Sequence, residues 1–227
     1  MDQSTGPASA GRLVEQVGRD LAEVERAIRS HRFLAALEDG RVPEERLTVF
    51  AAEQLAIISS DRRSFALLAT RFPAAPAGDF FLSMAQGEGQ ALSLLDGFAA
   101  SLGAGGNALL GDEPQPGAQA YPAFVAWLAL NGARADVALA LLANLTAWAA
   151  NCARVAQALR SRYGAGDEAV AFFDFFASPP PDFEERALAV LDDGLRGGDA
   201  PPPARRAARL LQAYELLFWD TLAEGIA

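Results

Sequence analysis

A single cysteine, Cys152, leaves no second thiol for an internal disulfide, and a single histidine, His31, leaves too few ligands for an ordinary zinc site. Basic charge is also short. The 19 Lys and Arg residues stand against 29 acids, for a formal net charge of -10 that repels a phosphate backbone. No basic stripe with interleaved aromatics occurs, so nucleic acid and anionic membrane are excluded as partners. No apolar run approaches the roughly 20 residues of a bilayer-spanning helix. The opening MDQSTGPASAGR lacks a basic segment followed by an apolar one, and the expected location is cytoplasmic. Strand-type alternation and internal repeats are missing too.

What is present is apolar side chain at helical spacing. Half of the residues (51%) are hydrophobic, enough for one core, and the expected organisation is a flexible tail at 1–10 followed by one domain at 11–227. Val14, Val17, Leu21, Val24 and Ile28 recur at steps of three and four, a pattern that pauses at His31 and stops at Asp39-Gly40. Pro43-Glu44-Glu45 starts a second helix that runs to Phe72-Pro73. A third follows Asp79, and a Gly- and Pro-rich loop spans Gly103 to Gly117. Further helices are expected over Tyr121–Leu130, Ala135–Tyr163, around Phe172–Phe176, over Phe183–Leu195, and from Ala204 to the end. The fold class is all-α, a bundle of seven or eight helices.

Residues in a helix are about 100° apart, so polar residues on apolar stripes can be picked out. On the second helix Gln54 and Asp61 share the arc of Leu47, Phe50, Ile58 and Phe65. Glu88, between Gly87 and Gly89, falls with Phe81, Leu92 and Leu95. Asn144 and Cys152 fall with Leu141, Leu145 and Trp148, and Glu215 falls with Leu211, Phe218 and Leu222, with Tyr214 at the edge. Plain structural explanations exist for most. Gln54 and Asn144 can be paired core amides, Cys152 a small packed hydrophobe, Glu88 the mark of a close helix crossing, and Asp61-Arg62-Arg63 a solvated patch. A buried carboxylate, however, costs several kcal/mol unless it is paired or its pKa rises. Glu215 and Glu88 on different helices, with amides opposite, therefore point to a polar pocket inside the bundle.

Several segments, in order, resemble the TenA-like proteins, the thiaminase II family of the haem-oxygenase-like fold. These are His31-Arg32-Phe33-Leu34, Leu37-Glu38-Asp39-Gly40-Arg41-Val42-Pro43, Tyr121, Ala140-Leu141-Leu142, Phe172 to Phe176 with Phe183-Glu184-Glu185, and Tyr214-Glu215 with Phe218-Trp219. The resemblance implies a haem-oxygenase-like bundle and a pocket lined by Phe50, Gln54, Glu88, Tyr121, Asn144, Trp148, Phe176, Tyr214 and Glu215. It implies a catalytic role for Glu215. The family's aspartate position corresponds to Gln54, its cysteine nucleophile to Asn144, and one tyrosine to Phe176. Cys152 lies two turns beyond Asn144 and does not replace the missing thiol.

Two functions follow from the resemblance. One is hydrolysis of an aminopyrimidine or related nitrogen heterocycle, in thiamin salvage, with Glu215 moving protons and water as nucleophile. The other is non-catalytic binding of a ligand or partner. No cofactor or metal is expected: one histidine cannot furnish a di-iron site, although His31 lies where haem oxygenases place their axial ligand. The expected partners are a small-molecule ligand and copies of the chain itself, as a homodimer or homotetramer.

Overall fold

The structure, a computed structural model, describes residues 7–104 and 113–226. Among the described residues there are nine helices and no strand. They are α1 (Pro7–Arg29), α2 (Arg32–Glu38), α3 (Glu44–Arg71), α4 (Ala77–Ser101), α5 (Pro116–Asn131), α6 (Arg134–Tyr163), α7 (Asp167–Ala177), α8 (Phe183–Arg196) and α9 (Pro201–Leu222).

The expected first helix is two, because the chain breaks at His31. That residue is extended (φ −63°, ψ 141°) and its Nδ1 accepts the Phe33 N–H at 3.2 Å, capping α2. Gly40, at φ 71°, closes α2 in the left-handed conformation that suits glycine. Helix α1 begins at Pro7, inside the stretch expected as a tail, and residues 1–6 of that stretch lie outside the described residues. Helices α5 and α9 start earlier than their hydrophobic stripes suggest, at Pro116 and Pro201. Proline suits a first turn, where its missing N–H would have no partner anyway. The middle of the expected Gly103–Gly117 loop, residues 105–112, lies outside the described residues.

Helix α3 packs along α4, α9 lies against α5 and α6, and α7 bridges α4 and α6. Gly97 permits the α4–α7 crossing, since a Cβ there would collide with the Glu168 carbonyl. All 19 basic residues are arginines, and several serve as fasteners between helix ends. Arg46 donates to the Thr221 and Leu222 carbonyls at 2.9 and 3.0 Å, and Arg71 to those of Ala129 and Gly132 at 2.6 and 3.1 Å. They lie at the C-terminal ends of α9 and α5, where helix carbonyls commonly take partners from outside the helix. Buried Glu53 holds the start of α5 to α3 by accepting the Gln115 N–H at 2.7 Å and the Gln119 amide.

The buried side chains form two clusters. One gathers Phe33, Phe50, Phe98, Phe173 and Trp219; the other gathers Phe65, Phe80, Phe81, Leu139 and Leu191. Among the described residues one helix, α6, is long and apolar enough to cross a membrane, but 61% of its apolar window is buried inside the protein. That is how a core helix meets the same criterion.

Candidate functional site

A cavity of about 80 Å³ lies at the seam of the two clusters. Ile57, Ile58 and Phe218 of the first cluster and Phe65, Leu141 and Phe183 of the second line it. Into this apolar shell α3 brings Gln54 and Asp61, α4 Glu88, α5 Tyr121, α6 Asn144 and α9 Glu215. Gln54 and Asp61, seven residues apart, stand two turns from each other on one face of α3. Trp148 and Phe176 close another side, edge to face at 5.8 Å.

Glu215 is 2% exposed and held by two donors. The Asn144 amide donates to Oε2, and the Trp219 indole N–H, one turn along α9, donates to Oε1 at 3.3 Å. Asn144 in turn accepts the Tyr121 hydroxyl at 3.3 Å, so the chain of bonds runs Tyr121 to Asn144 to Glu215. Burial disfavours the carboxylate and the two donors favour it. Burial wins, and the Glu215 pKa is pushed up to about 8.

A second pair of acids faces the same space. Asp61 and Glu88 are 4% and 7% exposed, and burial pushes both well above the usual carboxylate range; the charge of Asp61 raises Glu88 further. Asp61 Oδ1, Glu88 Oε2 and Gln54 Oε1 are buried without a hydrogen-bond partner among the described residues. The Tyr121 phenol is raised by burial and then by Asp61, Glu215 and Glu88, which places its hydroxyl in the field of all three acids. No Arg, Lys or His stands among the described lining residues.

Of the nine residues expected at the pocket, seven line the cavity: Gln54, Glu88, Tyr121, Asn144, Trp148, Phe176 and Glu215. Phe50 and Tyr214 do not. Phe50 is fully buried among Phe33, Phe98, Phe173 and Trp219, and Tyr214 packs on Phe124 at a centroid distance of 5.4 Å. Tyr214 is one residue from Glu215, and the 100° step turns it towards α5.

Asp61 corrects the sequence expectation in the other direction. Only its neighbours Arg62 and Arg63 are exposed, while Asp61 itself points inward. Its spacing of seven from Gln54 was the available signal. Cys152 is 1% exposed and absent from the cavity wall, and burial pushes its thiol well up, as for a packed, unreactive side chain. His31 also lies off the wall. Its Nε2 is 3.1 Å from Asp220 Oδ1 and its Nδ1 is taken by the cap, so both ring nitrogens are engaged.

The TENA/THI-4/PQQC family matches residues 19–179 of the sequence. The chain belongs to this family. Among solved structures, a TenA homologue from P. horikoshii OT3 superposes with a TM-score of 0.76 at 18% identity, covering 92% of this chain and 97% of that one. A TenA homologue from Pseudomonas syringae pv. tomato str. DC3000 reaches a TM-score of 0.78 at 15% identity, covering 99% and 96%. A domain of unknown function with a haem-oxygenase-like fold from Shewanella denitrificans OS217 gives 0.70 at 14% identity, covering 92% and 90%. No curated protein matches the sequence. At these identities the likeness shows the fold, a haem-oxygenase-like TenA bundle, and the chemistry has to be argued from this chain's own cavity. In that TenA bundle, the positions that the resemblance assigns to aspartate and cysteine hold Gln54 and Asn144, both on the cavity wall.

Proposed function

We propose that this TenA-family protein binds a small nitrogen heterocycle of the aminopyrimidine kind in the cavity and hydrolyses a C–N bond in it, with Glu215 as the proton carrier. The observation that supports this reading is the placement of Glu215: buried, facing the cavity, and raised to about 8, so that it both holds and releases a proton near neutral pH. Asn144 stands where the family's thiol is expected and is no nucleophile, so water attacks. The water oxygen bonds to the carbon that bears the nitrogen. Glu215 takes the water proton and returns it to that nitrogen as the C–N bond breaks. Asn144 and Tyr121 keep the carboxyl aimed, and Trp148 and Phe176 offer aromatic surface to a flat ring.

The non-catalytic reading draws on one observation, that Asn144 occupies one oxygen of Glu215. Turnover decides between the two. Aminopyrimidines carrying aminomethyl or formylaminomethyl groups are incubated with the protein, and release of ammonia from the first or formate from the second is followed. Glu215→Gln is expected to lower the rate by about 100-fold or more. Binding without turnover in the parent selects the binding reading, and neither binding nor turnover of any of them defeats both.

A further inference from the structure

Gln54 Oε1, Asp61 Oδ1 and Glu88 Oε2 are three acceptors without donors, on side chains 1%, 4% and 7% exposed, in the wall of one cavity. An acceptor left unpaired in a protein interior costs about 1–3 kcal/mol, so three in one cavity wall point to a donor that the described residues do not supply. Among the described residues, no other side chain donates to these three atoms. The Tyr121 hydroxyl is committed to Asn144, and the lining holds no Arg, Lys or His. Apart from the protons that the two acids themselves carry, a ligand is the remaining source of donors. A neutral hydroxyl brings one proton, whereas an ammonium or amidinium brings three or four N–H groups and a charge that offsets two acids otherwise opposing each other.

A second cavity, of about 130 Å³, shares Met84, Glu88, Leu145, Phe176 and Phe183 with the first. Its remaining wall is largely apolar, with Phe80, Phe175, Pro179 and Pro180. Glu88 thus stands between an acid-lined inner space and an aromatic outer one.

We propose that Gln54, Asp61 and Glu88 form a subsite for a protonated nitrogen of the ligand, an ammonium or amidinium group, and that the ligand's flat apolar part extends past Glu88 into the second cavity. The proposal rests on reading the cavity as a ligand site and does not depend on hydrolysis at Glu215. The charged and titratable groups around the acid pair are Tyr121 from α5 and Glu215 from α9; α6 offers only the uncharged Asn144. From α8, Arg186 borders the outer cavity alone, bonded to the Ser83 hydroxyl at 2.8 Å and the Asp79 carbonyl at 3.2 Å. A bound cation favours the charged carboxylates, so the acid pair gives up protons as the ligand enters.

Titration calorimetry with benzamidinium and its neutral isostere benzamide tests this. Benzamidinium is expected to bind at least about tenfold more tightly, with a heat that varies with the buffer's ionisation enthalpy because protons leave the site. In the Asp61→Asn, Glu88→Gln double variant, whose amides keep the shape of the acids, the preference is expected to shrink to within about twofold. Equal affinity for the two probes, no binding of benzamidinium at millimolar concentration, or a preference that survives in the folded double variant overturns the proposal. The comparison of the two probes on the parent protein needs no variant. A benzamidinium preference without aminopyrimidine turnover leaves the subsite and removes the hydrolase; turnover without the preference does the reverse.

Discussion

Asn144 of α6 donates its side-chain amide to Glu215 of α9, a buried bond that ties two helices together at the cavity wall. Because it favours the carboxylate over the acid, its loss has a definite sign. Asn144→Ala should move the Glu215 pKa further above 8, by about one unit. Trp219, whose indole donates to the same carboxyl, is the reporter: the midpoint of its fluorescence titration should rise in the variant. A midpoint that stays or falls would show that the Asn144 bond does not help set the value.

Stability should fall as pH rises. Folded Glu215 keeps its proton up to about pH 8, while the unfolded chain releases it near 4.5. Between those values the unfolded state binds fewer protons, so the stabilisation is complete below about 4.5 and is lost as pH climbs through 8, on the order of 5 kcal/mol at most. Asp61 and Glu88, also raised, act in the same direction. Urea midpoints at pH 5 and pH 8.5 measure the slope, which Glu215→Gln should flatten. A parent protein equally stable at both would contradict the burial argument.

These acids show what the sequence makes legible. Glu215 and Glu88 stand out because each interrupts a stripe of large hydrophobes, and burying charge is costly enough that the interruption carries meaning. Asp61 interrupts a stripe as well, but its two arginine neighbours read as a solvated turn of helix. A 100° step separates consecutive side chains, so exposed Arg62 and Arg63 say little about the direction of Asp61. Phe50 and Tyr214 lie off the cavity wall for another reason. An inward arc is wider than the cavity, and periodicity does not tell a residue that fills the core from one that lines a space within it. The helix segments were readable from their stripes, while the break at His31 depends on a side-chain cap and the early starts of α5 and α9 on prolines ahead of the stripe.

Cys152 should behave as packing. In the folded protein it should resist Ellman's reagent and react only on denaturation, because burial raises its thiol and shields it. Cys152→Ala is expected to cost about 1–2 kcal/mol by removing a buried sulfur, with any aminopyrimidine turnover retained. Turnover lost with the fold intact would return the thiol to the mechanism.

His31→Ala should cost about 1–2 kcal/mol, since it removes the cap of α2 and the contact with Asp220. With both ring nitrogens engaged, added haemin should show no Soret shift that depends on His31. Such a shift in the parent, absent from the variant, would mean that the α2 cap gives way to iron.

The inner cavity's lining, three acids with no base among the described residues, also sets a limit on the charge that can enter it. A phosphoryl group placed there would bring negative charge into a space with no base to neutralise it, whereas the outer cavity has Arg186 at its border.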